Sequence, residues 1–275
     1  YLESSLNLYD SLLVSLKKSS FLSEAYFRLG EIHYKILQDF DKAYYLLNKS
    51  MNYKADKKTM LKIINRTSDV LLAMGQTEEA MKFLQKELVS DPLIGLNEKI
   101  ILIEFLTNTP DSILYNIELS LEKRGPSDPL FNDLMELKNI IIKYCSNPAD
   151  SLAFKHFQKS ELLIRQKKLG NSVKELEYLV NNFSEANMLP LAHLRLAIVN
   201  FQLADYDAAL HYASLLENTE FADKGIILNG QINEMQGMNI EICLEQYMRI
   251  LNDFPFSIYR EPIRYHVRKI QKTES

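Results

Sequence analysis

Apolar residues recur at helical spacing along nearly the whole chain. Leu2, Leu6, Tyr9, Leu13 and Leu16 share one face of an amphipathic helix expected over residues 2–17. Ser19-Ser20 follows, and the periodicity resumes from about Ser23 to Leu37. Asp39 and Asp41 mark a turn, after which Ala43 to Met51 continues the next helix. Leu61 to Met74 leads through Gly75 into Glu78 to Val89. Asp91-Pro92 closes that stretch, because proline cannot continue the hydrogen-bond ladder. Residues 93–147 are helical in pattern but poorly phased, punctuated by Thr109-Pro110, Gly125-Pro126 and Asn147-Pro148. Regular spacing then predicts helices near 149–169, 171–183, 188–203, 205–217, 221–236, 239–253 and 257–271. No segment sustains period-two alternation, so no strand is expected and the fold class is all-α.

One turn signature stands at two places. Asp39-Phe40-Asp41-Lys42-Ala43 and Asp205-Tyr206-Asp207-Ala208-Ala209 each separate two helical runs. A recurring acidic–aromatic–acidic turn before a small residue predicts an array of helical hairpins. Aligned on their turns, the units read Leu29-Gly30 with Ala43 and Leu47, then Ser68 with Ala80 and Leu84. Later units read Ala197 with Ala209 and Ala213, and Gly230 with Cys243 and Tyr247. Leu163 to Ala197 spans 34 residues and Ala197 to Gly230 spans 33. Small residues at the eighth and twentieth positions would let the two helices of a hairpin approach closely, with bulky residues filling the space to the neighbour.

This pattern resembles the tetratricopeptide repeat family. The resemblance implies a right-handed α-solenoid of antiparallel helical hairpins. Residues 1–92 would be hairpins starting with an unpaired helix, 93–147 an irregular helical segment, and 148–275 hairpins closed by a capping helix. The chain departs from the family pattern in lacking tryptophan and in placing His33 and Asn200 where tyrosine is preferred. Asn252-Asp253-Phe254-Pro255-Phe256-Ser257-Ile258-Tyr259, and in part Asn182-Phe183-Ser184, are similar to inter-repeat segments of BamD-type and YbgF-type proteins of the bacterial cell envelope. One extra residue before Ala43, Leu176 and Cys243 adds to that similarity, which implies a periplasmic or outer-membrane-associated setting. The first helix would be the second half of a hairpin, so the natural protein is expected to extend beyond Tyr1.

Composition narrows the function classes. A formal net charge of -4 gives no overall electrostatic reason to bind nucleic acid. No apolar run approaches the ~18 residues of a membrane span. Cys145 and Cys243 lack CxxC spacing and are expected as small packed residues. GxSxG, HExxH, GxxxxGK[ST] and GxGxxG are all missing, and the five histidines fall on separate helices. No catalytic residue, metal ligand or cofactor site is therefore predicted. Arg260, Arg264, Arg268 and Lys272 line one face of the last helix, and Ile263, Val267 and Ile270 line another, which predicts a solvated cap.

The remaining candidate is the groove. In the family, the second, fifth, ninth and twelfth positions of each first helix face inward. Transferred here, the resemblance implies Glu24, Phe27, Glu31 and Tyr34, then Lys62, Asn65, Asp69 and Leu72. The later units supply Phe157, Ser160, Ile164 and Lys167, then Leu191, Leu194, Ile198 and Phe201, and finally Lys224, Ile227, Gln231 and Glu234. Leu191, Leu194, Ile198 and Phe201 would form an apolar stripe covered either within the chain or by a partner. Lys62, Asp69 and Glu234 would set register. Phe27 and Glu31 stand where chaperone-tail binders clamp a terminal carboxylate with asparagine and lysine, which argues against such a clamp. The expected function is a non-enzymatic scaffold for a protein or peptide segment, without a nucleic-acid partner. A regulatory arm of a larger enzyme or transcription factor, and self-association through residues 2–17, stay open as alternatives.

Overall fold

A computed structural model describes residues 2–15, 21–90, 96–128, 130–145 and 148–273. Leu16, Ser19-Ser20, Asp91-Pro92 and Asn147, singled out from the pattern, lie outside the described residues. Among those described there are fifteen α-helices and no strand. They are α1 (Leu2–Ser15), α2 (Leu22–Ile32), α3 (Phe40–Met51), α4 (Lys57–Ala73), α5 (Thr77–Ser90), α6 (Leu96–Thr107), α7 (Pro110–Glu122) and α8 (Phe131–Tyr144). There follow α9 (Pro148–Arg165), α10 (Leu169–Asn182), α11 (Leu189–Gln202), α12 (Tyr206–Ser214), α13 (Ala222–Met235), α14 (Ile240–Asp253) and α15 (Arg260–Thr273). A π-helical turn, His33–Leu37, extends α2.

The hairpin turns share one device. A residue with positive φ ends the first helix of five pairs: Gln38, Gly75, Lys167, Ala204 and Gly237. The N–H of Gln76 then bonds back to the Leu71 carbonyl, that of Asp205 to Asn200, and that of Met238 to Asn233. Gly75, Ala204 and Gly237 bond to Leu72, Phe201 and Glu234. This double closure satisfies carbonyls that a helix end leaves without partners. Glycine is the residue that adopts positive φ without steric cost, and Gly75 and Gly237 supply it. In the α2–α3 turn the bond runs from Asp39 to His33, one residue longer, so the extra residue before Ala43 is absorbed in the π-helical turn.

The repeated signature has a direct role. Asp39 accepts the Lys42 N–H at 3.0 Å and Asp205 accepts the Ala208 N–H at 3.1 Å, so each is the N-cap of the returning helix. Asp41 and Asp207 place a second carboxylate in the first turn, beside the positive end of the helix dipole. Asn239 takes the same cap position before α14 by accepting the Glu241 N–H. The small residues permit close approach. A Cβ on Gly230 would lie 2.6 Å from the Tyr247 ring, and one on Gly30 would lie 3.0 Å from Leu47.

The chain divides into two compact units, residues 1–141 with 164–167, and residues 142–163 with 168–275. In the first, α1 packs on α2, and each helix from α2 to α7 packs on the next. Its core joins Phe27, Ala43, Leu47, Ile63 and Val70 to a second cluster around Ile64, Leu72, Leu84, Leu96 and Ile103. The stripe of α1 is only half-buried, at Leu6, Tyr9 and Leu13. In the second unit consecutive packing runs from α10 to α15. His156 ties α9 to α10 through Glu175 at 3.0 Å and the Tyr178 ring at 4.5 Å. Cys243 is buried and Cys145 half-buried, both as free thiols, and burial reinforced by Asp150 pushes the Cys145 thiol up to about 12. No helix among the described residues is long and apolar enough to cross a membrane.

Candidate interaction surface

In the first unit, the first helices of successive hairpins are α2, α4 and α6. Side chains of these helices build a continuous charged ladder. Glu31 on α2 accepts from Lys35 at 2.9 Å and from Arg66 on α4, whose Nη2 and Nε lie 2.9 and 3.1 Å away. Arg66 also donates to Asp69 at 3.1 Å, and Lys99 on α6 closes the series on the other Asp69 oxygen. The Arg66 guanidinium lies 5.1 Å from the Tyr34 ring centre. Burial alone would raise the Glu31 carboxyl, but Lys35 and Arg66 outweigh it and hold the group below its ordinary value. Burial, reinforced by the Asp69 charge, raises the Tyr34 phenol.

This ladder edges an open recess of about 350 Å³, lined by Phe27, Arg28, Glu31, Lys62, Asn65, Arg66 and Asp69. Five of the seven are inward positions named from the sequence: Phe27, Glu31, Lys62, Asn65 and Asp69. The side-chain amide oxygen of Asn65, Oδ1, is buried and has no hydrogen-bond partner among the described residues. Tyr34 lies beside the recess, under Arg66. Leu72 does not line it, being buried between α4 and α5 in the core. Arg28, Arg66 and Lys99 were missed. A usable signal existed, because Glu31 and Arg66 are opposite charges one repeat length apart. A second recess of about 420 Å³ lies along α6 and α7. Its polar walls pair among themselves, Asn116 with Glu104 at 2.9 Å and Arg124 with Glu98 and Asp128.

The residues named from the later hairpins fall differently. Phe157, Leu191 and Leu194 are buried, and Ile198 and Phe201 are half-buried. The chain itself covers Leu191 and Leu194 of the apolar stripe. Helix α11 is packed against α10, α12 and α13 at once, so most of its surface is interior. Phe201 packs in the α11–α13 cluster beside Tyr206, with ring centres 6.0 Å apart. Ile227 packs into the α13–α15 core. Glu234 is exposed and bonds His266 of α15 at 2.8 Å. Ile164 is half-buried near the end of α9. An ion pair between the buried Glu161 and the partly exposed Arg195, at 2.6 Å, links α9 to α11 one repeat length apart, as Glu31–Arg66 does for α2 and α4.

Residues 24–52, from α2 through the π-helical turn to the end of α3, match the tetratricopeptide repeat family. The resemblance inferred from turn signature and spacing therefore holds for this hairpin, and the described residues of both units are all-α. Two solved structures are similar in arrangement. One is a tetratricopeptide repeat protein from Parabacteroides merdae, 12% identical, with a TM-score of 0.41 over 98% of this chain and 92% of that one. The other is PilW, a type IV pilus biogenesis factor, 14% identical, with a TM-score of 0.37 over 88% of this chain and 97% of that one. No curated protein matches the chain. Tetratricopeptide repeat proteins bind protein partners, and in the first unit the Glu31–Arg66–Asp69–Lys99 ladder joins α2, α4 and α6.

Proposed function

We propose that the chain is a non-enzymatic scaffold that holds a segment of a partner protein along the inner face of α2 and α4. The observation that carries this is the recess at Phe27, Lys62, Asn65 and Asp69, where inward positions of two repeats converge. Asn65 offers a buried acceptor with no partner, which suits a backbone N–H of an extended segment. Lys62 is exposed at the rim and is free of the ladder, so it supplies a cation for an acidic side chain of the incoming segment. Arg66 and Asp69 are already paired and rigid, and a preorganised wall lowers the ordering cost of binding. An envelope setting belongs to the same proposal and rests on the Phe254-Pro255 inter-repeat segment.

The test is binding of the native partner by K62E and N65A variants. Each is expected to lose about tenfold or more in affinity with an unchanged melting temperature, as for residues central to an interface. Affinity unaffected by both changes contradicts the assignment of the recess.

A further inference from the structure

The second unit contains the same turn twice, and the two copies differ in what they present to solvent. Phe183 after α10 and Phe254 after α14 have nearly identical backbone angles, φ -127 and ψ 56 against φ -121 and ψ 66. Three hydrogen bonds then recur in register. Ala186 N–H bonds to Phe183 O and Ser257 N–H to Phe254 O; Leu189 bonds to Ala186 and Arg260 to Ser257; Ala192 bonds to Met188 and Ile263 to Tyr259. Both turns are also tied to an aspartate of an earlier helix. Asn187 reaches Asp150 at 2.9 and 3.0 Å, and the Ser257 hydroxyl reaches Asp223 at 2.6 Å.

In this register Phe256 matches Glu185 and Ile258 matches Asn187. The first turn thus closes with polar residues at the two outward positions. The second carries Phe256 at 98% exposure and Ile258 at 81%. Side chains so exposed contribute almost nothing to the core, and the turn geometry does not require them. The bonds around Ser257 hold the turn in place, so two large apolar groups are presented on a fixed backbone.

The helix that follows adds charge. Residues 253–274 hold Arg260, Arg264, Arg268, Lys269 and Lys272 against Asp253, Glu261 and Glu274, a cation excess in a chain that is acidic overall. Glu261 is paired with Arg264. Tyr265, Arg268 and Lys272 follow one another at helical spacing on the exposed side of α15, with Tyr265 74% exposed. The face opposite is the one that packs, through Ile263 and Val267. Protruding apolar side chains beside cations and an amphipathic aromatic suit a lipid interface. There the apolar tips enter the acyl boundary and the cations stay at the headgroups.

We propose that the α14–α15 turn and the outer face of α15 dock on an anionic membrane surface, with Phe256 and Ile258 inserting and Arg268 and Lys272 engaging lipid headgroups. A protruding turn favours a deformable surface over a protein pocket, and the cation excess makes that surface anionic. Each cation near such a surface strengthens partitioning by roughly fivefold, and the attraction is screened by salt. This inference is independent of the partner-binding recess of the first unit.

The experiment is co-sedimentation of the full chain with phosphatidylcholine vesicles, with and without about one third phosphatidylglycerol. The wild type is expected to bind the anionic vesicles, less at high salt, and to ignore the neutral ones. F256Q/I258N places polar side chains where the matching turn carries Glu185 and Asn187. It should lose about tenfold or more in partitioning while melting unchanged. R268E/K272E should abolish binding at low salt. Equal binding by wild type and F256Q/I258N, or no binding to either vesicle, overturns the proposal. So does concentration-dependent association that F256Q/I258N abolishes in the absence of vesicle binding, which gives the turn to a second copy of the chain.

Discussion

At Ala204 the chain adopts φ 59, a left-handed conformation that crowds a Cβ against the backbone. Ala204→Gly is therefore expected to raise stability by about 0.5–1 kcal/mol, net of the extra freedom glycine gains in the unfolded chain. Thermal or denaturant unfolding measures it directly. Gly230→Ala should act in the opposite direction. Its Cβ would meet the buried Tyr247 ring at 2.6 Å, and overpacking of this kind costs about 1–3 kcal/mol. The small residues at Gly230 and Ala197 were legible from spacing alone. The left-handed residues were legible only at Gly75 and Gly237, since Gln38, Lys167 and Ala204 belong to types that carry no turn signal.

The same scale sets a pH dependence. The Glu31 carboxyl is held low, so its ion pairs stabilise fully above the unfolded pKa of about 4.3, and the stabilisation is lost as pH falls through the lower folded value. Glu175 behaves alike, because Lys159 and His156 outweigh the upward pull of burial. Acid titration of the melting temperature is expected to show a decline beginning below about pH 4.3, shallower in Glu31→Gln. A Glu31→Gln variant with the wild-type profile would contradict the ladder as described.

Among the elements, the returning helices α3 and α12 depend on their caps. Asp39→Ala or Asp205→Ala removes the acceptor for a first-turn N–H and should cost about 1 kcal/mol, measured by chemical denaturation. Helix α11 teaches a different lesson. Its run Leu191, Leu194, Ile198 and Phe201 reads as a stripe in need of a partner, but the chain itself buries Leu191 and Leu194. Sequence periodicity counts how much of a helix is apolar; it does not count how many neighbours that helix has. Phe201→Ala is accordingly expected to lower stability by about 2 kcal/mol, as a truncation in a half-buried cluster, instead of acting on partner binding alone. In the π-helical turn the situation is intermediate. The extra residue before Ala43 was countable, while its absorption upstream at His33–Leu37 depends on which backbone bonds can lengthen.

For the whole molecule, consecutive helices pack in chain order from α1 to α7 in the first unit and from α10 to α15 in the second. Of the inward positions expected in the first unit, Phe27, Glu31, Lys62, Asn65 and Asp69 line one recess, while Leu72 is in the core and Tyr34 lies beside that recess. Its charged character was only half visible, because Arg66 sits one position away from the inward register and enters by reaching across to Glu31. The scaffold account is tested most directly by placing a photo-crosslinking side chain at Lys62, inside the recess, and at Lys82 on α5 as a control, in the native host. The account predicts cross-links to a single partner from position 62, lost in N65A, with none from position 82. Equal cross-linking from both positions, or none from position 62, would contradict it.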